Sequence, residues 1–164
     1  MVSNLFVAVP HGFCAGVSRA VRIVEDTLKE YGAPIYVRHE IVHNKHVVNE
    51  FQKRGVIFIE DFDEITDTTR PVILSAHGTE QCVLQKGNER GLKLIDATCP
   101  LVKKVHRQIQ KLETVGANII VIGKNTHPEI IGTIGQIDNH GQITIINSEQ
   151  EAEGITLPDD KLVG

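Results

Sequence analysis

Short apolar runs alternate along this chain with longer stretches whose apolar residues recur at helical spacing, and this alternation limits the fold more than any other feature. Residues 4–9 read as a buried strand. Residues 15–31 read as a helix with Val17, Val21, Val24 and Leu28 on one face, stopped by Gly32. Residues 34–38 give a short strand, 39–44 lead into a helix that ends near Gly55 with Val47, Val48 and Phe51 inward, and 56–59 form the third strand of this unit. After a polar stretch at 61–70, residues 71–74 form another strand that ends in Ser75-Ala76-His77-Gly78. A helix over 79–90, a strand over 93–96, a helix over 101–115 that buries Leu101, Val105, Ile109 and Leu112, and a strand over 118–122 continue the pattern. Residues 129–137 read as a helix weakened by Gly132 and Gly135, and 142–146 as one more strand. From Ser148 the chain turns acidic and loses periodicity, with residues 154–157 placed to begin a new element. Strand followed by helix, repeated, gives an α/β fold with a parallel sheet.

Two junctions in this pattern carry a cysteine. Pro10-His11-Gly12-Phe13-Cys14-Ala15-Gly16 joins an apolar run to a helical segment, and Leu92-Lys93-Leu94-Ile95-Asp96-Ala97-Thr98-Cys99-Pro100 repeats the layout, with Pro100 suited to a first helical position. The unpaired amides and positive dipole end of a helix start favour a thiolate, and Gly12 and Gly16 leave room for a bulky group to approach the backbone. Cysteines in equivalent places suggest one shared site and two similar units, residues 1–97 and 98–164. Cys82 lies inside a helical stretch with no such setting and reads as an ordinary core thiol.

Composition narrows the function. A net charge of −4 and 4% aromatic residues give no electrostatic or stacking basis for nucleic acid. No apolar run approaches the roughly 20 residues of a membrane span, so a cytoplasmic protein is expected. Three cysteines make no secreted disulfide framework and leave thiols for metal or redox work.

His43, His77 and His127 each follow an apolar run, where parallel sheets place their ligands. With Asn44, Ser75, Thr79 and Thr126 they form a set of neutral or switchable donors suited to an anion such as phosphate. His11, His39, His46, His106 and His140 read as structural or surface residues. Glu129, two residues after His127 at a helix start, is either a favourable first-turn acid or a proton donor. No zinc spacing, dinucleotide fingerprint or Walker loop occurs.

The blocks His11-Gly12-Phe13-Cys14-Ala15-Gly16-Val17, 32–44 (GAPIYVRHEIVHN), Ser75-Ala76-His77-Gly78, 96–106 (DATCPLVKKVH) and 127–136 (HPEIIGTIGQ) closely resemble the 4-hydroxy-3-methylbut-2-enyl diphosphate reductase family. The resemblance implies a trefoil of three α/β units around a central cavity, with this chain carrying the first two. It implies that Cys14 and Cys99 are two of three cysteines holding a 4Fe-4S cluster, with the third ligand, a pocket threonine and a serine-containing loop with an asparagine lying beyond residue 164. Cys82 matches a family position with no cluster role. By the same likeness His43, His77 and His127 line the pocket of an allylic diphosphate substrate, and Glu129 relays protons. The implied activity is the last step of the methylerythritol phosphate route to isoprenoids, with electrons from ferredoxin or flavodoxin. Two other classes remain open at this point. One is a non-catalytic fragment that binds a phosphorylated ligand or a partner; the other is a zinc-dependent hydrolase using Cys14, Cys99 and a histidine, which lacks zinc-like spacing.

Overall fold

Ile35–Arg38 is the strand on which the core is built, with all four residues buried. The computed structural model describes residues 5–9, 11–156 and 163–164. Among these the order is α1 (Ala15–Tyr31), β1 (Ile35–Arg38), α2 (Lys45–Lys53), β2 (Val56–Ile59), β3 (Val72–Leu74), α3 (Gln81–Glu89), β4 (Leu94–Asp96), α4 (Pro100–Thr114), β5 (Ile119–Ile122), α5 (Pro128–Ile134), β6 (Ile143–Ile146) and α6 (Glu149–Glu153). The first four strands form one sheet in the order β2-β1-β3-β4, parallel throughout, and β5 and β6 form a separate parallel pair. The α/β fold with parallel sheets expected from the alternating pattern is what the chain adopts.

Alternate residues of β1 feed two cores, as the two-residue period of a strand requires. Ile35 and Val37 pack with Ala20 and Val24 of α1 and Phe51 of α2, whereas Tyr36 packs with Phe62, Ile65, Val72 and Leu92. Phe62 and Ile65 are buried even though their surroundings are polar, because a 3-10 turn at Phe62–Glu64 aims them inward. Ile109, Ile119 and Ile137 form the core beneath the second sheet.

The strand order sets up the crevice. β1 leads by α2 to β2 on one side, and β3 leads by α3 to β4 on the other, so the loops after β1 and β3 part company at the carboxyl edge. Helix α5 then docks against the loop after β3. Gly132 lies so close that an added Cβ would stand 3.0 Å from the carbonyl carbon and oxygen of Gly78. Gln136 Nε2 donates to Thr79 O at 2.8 Å, and Gln81 N donates to Gly135 O at 2.9 Å. These contacts bring the start of α5 beside the first sheet.

Several expectations are corrected. Residues 5–9 form no strand: Leu5 and Phe6 are 86% and 90% exposed, and none of the described strands lies alongside to take their backbone groups. Asn4 and Pro10 lie outside the described residues. On α4, Leu101 and Val105 face outward at 73% and 49% exposure, and the buried face is Val102, His106 and Ile109. His106 takes an inward position because Gly78 leaves room for it; a Cβ on Gly78 would stand 2.5 Å from His106 Cε1. Cys82 is exposed, not a core residue. The acidic tail forms α6, capped by Ser148 Oγ accepting from Glu151 N at 3.2 Å. Ile155 and Thr156 begin no regular element, and Leu157 lies outside the described residues.

Candidate functional site

Four side chains that the sequence singles out are N-cap residues. Cys14 caps α1, its Sγ accepting from Val17 N at 3.5 Å. Asn44 caps α2, its Oδ1 accepting from His46 N at 3.0 Å and Val47 N at 3.2 Å. Cys99 stands at the cap of α4 ahead of Pro100, and His127 at the cap of α5 ahead of Pro128. His77 lies beyond the end of β3. The local signals that start a helix, a polar cap followed by proline or by an apolar period, therefore also deliver these groups to one place.

That place is a cavity of about 410 Å³. Cys14, Cys99, His43, His77, His127 and Glu129 all line it, together with Asn44 and the apolar side chains of Phe13, Val17, Val42 and Val102. Three further expected donors do not line it. Ser75 is buried behind His77. Thr79 is buried on a separate cavity with Thr98 and His106, and Thr126 is exposed in the turn before His127.

The histidines form a tight cluster. The ring centroids of His43 and His77 are 4.1 Å apart, those of His43 and His127 5.1 Å, and those of His77 and His127 6.0 Å. His127 Nδ1 accepts from Glu129 N at 3.2 Å, so in the neutral ring its proton sits on Nε2. That Nε2 faces His43 Nε2 at 3.2 Å, which makes His43 the acceptor and puts its own proton on Nδ1, toward Glu40 Oε2 at 3.7 Å. His77 Nδ1 meets Ser75 Oγ at 3.3 Å. Burial, then the charges of His43, His127 and His39, push His77 from an ordinary 6.5 down to about 4, so it is a neutral ring at pH 7. Ring nitrogens that can donate and the dipole ends of α1, α2 and α4 make a site that welcomes an anion, with no lysine or arginine in its lining.

The thiols stand on the other wall. Gly16 separates them: a Cβ there would lie 2.6 Å from Cys99 Sγ and 3.9 Å from Cys14 Sγ, so both sulfurs turn to the same hollow and only glycine leaves it open. A thiol pair beside apolar side chains suits a soft metal group. It supplies part of a ligand set. Among the described residues no group of three or more His, Cys, Asp or Glu stands close enough to hold a metal ion.

The family model described as "LytB protein" matches residues 5–163. The chain belongs to the LytB family. A LytB relative from Histophilus somni (strain 2336), named 4-hydroxy-3-methylbut-2-enyl diphosphate reductase, is 50% identical over 159 residues, which is 96% of this chain and 50% of that protein. One of the same name from Chelativorans sp. (strain BNC1) is 52% identical over 145 residues, covering 87% and 43%. The solved E-1-hydroxy-2-methyl-but-2-enyl-4-diphosphate reductase of Plasmodium falciparum superposes with a TM-score of 0.88 at 39% identity, covering 94% of this chain and 48% of that one. The chain thus spans about half the length of the curated LytB relatives it matches. Among the described residues no helix is long and apolar enough to cross a membrane.

Two residues near the site escaped the sequence reading. Glu40 faces His43 Nδ1, and Arg19 reaches from α1 to the turn that carries Cys99. A charged residue in a helix or loop gives no sequence sign of which distant group it meets.

Proposed function

We propose that these residues belong to a 4-hydroxy-3-methylbut-2-enyl diphosphate reductase, a cytoplasmic oxidoreductase of isoprenoid synthesis. The observation that carries this reading is the convergence of two thiols, three histidines and one carboxylate on a single cavity of about 410 Å³. In the proposed reaction the allylic C–O bond of the substrate breaks, two electrons and two protons enter, and water leaves, giving isopentenyl and dimethylallyl diphosphates. Cys14 and Cys99 would hold two corners of a 4Fe-4S cluster, which when bound supplies the electrons delivered by ferredoxin or flavodoxin.

The chain's own groups do the rest. His43 and His127 bind the diphosphate through their Nε2 atoms. His77 donates to the same anion while its Nδ1 is held by Ser75 Oγ. Glu129, half-buried at the start of α5 beside His127, supplies a proton to the carbon skeleton or to the departing oxygen. Val17, Val42 and Val102 line the same cavity and keep water from competing. We read residues 1–97 and 98–164 as two of three units around this cavity, with the separate four-stranded and two-stranded sheets in support.

The test is anaerobic purification of the full-length parent and of its Cys14→Ser variant. Brown protein that consumes the allylic diphosphate with reduced ferredoxin, and a colourless inactive variant, are expected. A colourless parent holding stoichiometric zinc would overturn the reading.

A further inference from the structure

Arg19 lies on α1, the helix whose N-cap is Cys14. Its Nη1 donates to Thr98 O at 3.2 Å and its Nη2 to Asp96 O at 3.5 Å. Both carbonyls belong to the segment that delivers Cys99. β4 is the edge strand of its sheet, and Ala97 N and Cys99 N turn toward β3, donating to Leu74 O and Ala76 O at 3.0 Å each. By strand alternation the carbonyls of Asp96 and Thr98 then face away from the sheet, where no strand among the described residues takes them. The guanidinium stands in that position and spans both.

We infer that Arg19 is the positioning residue for the thiol pair, fixing how far Cys99 lies from Cys14. This rests on reading the two cysteines as ligands of one group. Apolar packing of Ala20 and Val24 holds α1 against the sheet but resists sliding along the helix axis only weakly, because dispersion contacts have no direction. Two donated hydrogen bonds from a planar fork do fix that register, and a lysine ammonium cannot span both carbonyls in the same way. The fit is close, since Cys99 Sγ rests over Gly16, two residues past Cys14 on the same element. A slip of α1 therefore changes the separation of the sulfurs directly.

The test uses the metal-free 164-residue chain with Cys82→Ser, so that Cys14 and Cys99 are the remaining thiols. Dibromobimane fluoresces once both of its arms have reacted, and monobromobimane counts each thiol singly. The parent is expected to crosslink, and Arg19→Ala and Arg19→Gln to lose about fivefold or more of the crosslink at unchanged single labelling. Arg19→Lys should fall between. Crosslinking of Arg19→Ala at the parental level would overturn the inference. If Arg19→Ala loses the circular-dichroism signal of the folded chain, Arg19→Lys decides, and parental crosslinking there overturns the inference equally. A parent that does not crosslink would instead refute the shared thiol site itself, and the role of Arg19 with it.

Discussion

His43 Nε2 and His127 Nε2 face each other across 3.2 Å, close enough for one ring to donate to the other. One ring comes from the loop after β1 and the other from the start of α5, so the contact joins the two sheets at the crevice. A diphosphate oxygen placed there competes for the same hydrogen bond. Replacing either ring by alanine in the full-length parent should raise KM for the allylic diphosphate about 10-fold or more, the worth of one charge-assisted hydrogen bond. Steady-state kinetics checks this; an unchanged KM in both variants would count against anion binding by this pair.

Glu129→Gln keeps the shape of the cavity wall and removes an ionisable proton. Turnover in the full-length parent should fall by about 100-fold or more with little change in KM, as for loss of a general acid. Equal turnover would remove the proton-donor role.

His77 gives the chain a pH dependence whose sign follows from burial. Its ordinary value is 6.5 and its folded value about 4, so the unfolded chain takes up a proton that the folded chain refuses. Stability is therefore full above pH 6.5 and is lost as pH falls from 6.5 toward 4, by about 3 kcal/mol at most. Urea melts at pH 7, 5.5 and about 4 should show the slope, and His77→Gln should flatten it.

Gly132→Ala places a methyl 3.0 Å from the backbone of Gly78, which cannot swing aside as a side chain would. The substitution should cost about 1–3 kcal/mol and tilt the start of α5, weakening substrate binding through His127 as well as stability. Thermal melts and KM measured together test this, and a loss of stability alone would separate the two.

The 164-residue chain reconstituted alone with iron and sulfide should give less than about a tenth of the turnover of its full-length parent, because two thiols are fewer than the three that the family resemblance implies and the four that usually hold a cubane. Activity within that factor would show that these residues suffice.

The strands, helices and cap residues of this chain were legible because their signals are local. Asn44 before an amphipathic period, Pro100 at a first helical position, and Gly32 at a helix end each act within a turn of themselves. Where the outcome depends on a distant partner, the local signal misleads. Residues 5–9 have the composition of a strand and no strand beside them among the described residues. Leu101, Val102, Val105 and Ile109 support two overlapping helix faces, and the choice between them was made by Gly78, which admits His106 from across the chain. The site followed the same division. Helix starts announced the cysteines and the ends of apolar runs announced His43, His77 and His127, while Glu40 and Arg19 owe their places to tertiary contacts.

Because Cys14 and His127 are both cap acceptors and cavity residues, the first turns of α1 and α5 and the pocket share atoms. Fraying at a helix start costs little compared with melting a parallel sheet, so gentle warming should disperse the pocket while the strands still hold. Alanine at either position would remove a helix cap and a reactive group at once, and the loss could not be assigned to one or the other by activity alone. The amide protons of Val17 and Glu129 report on both. Their exchange with deuterium measures how much of the time the pocket exists.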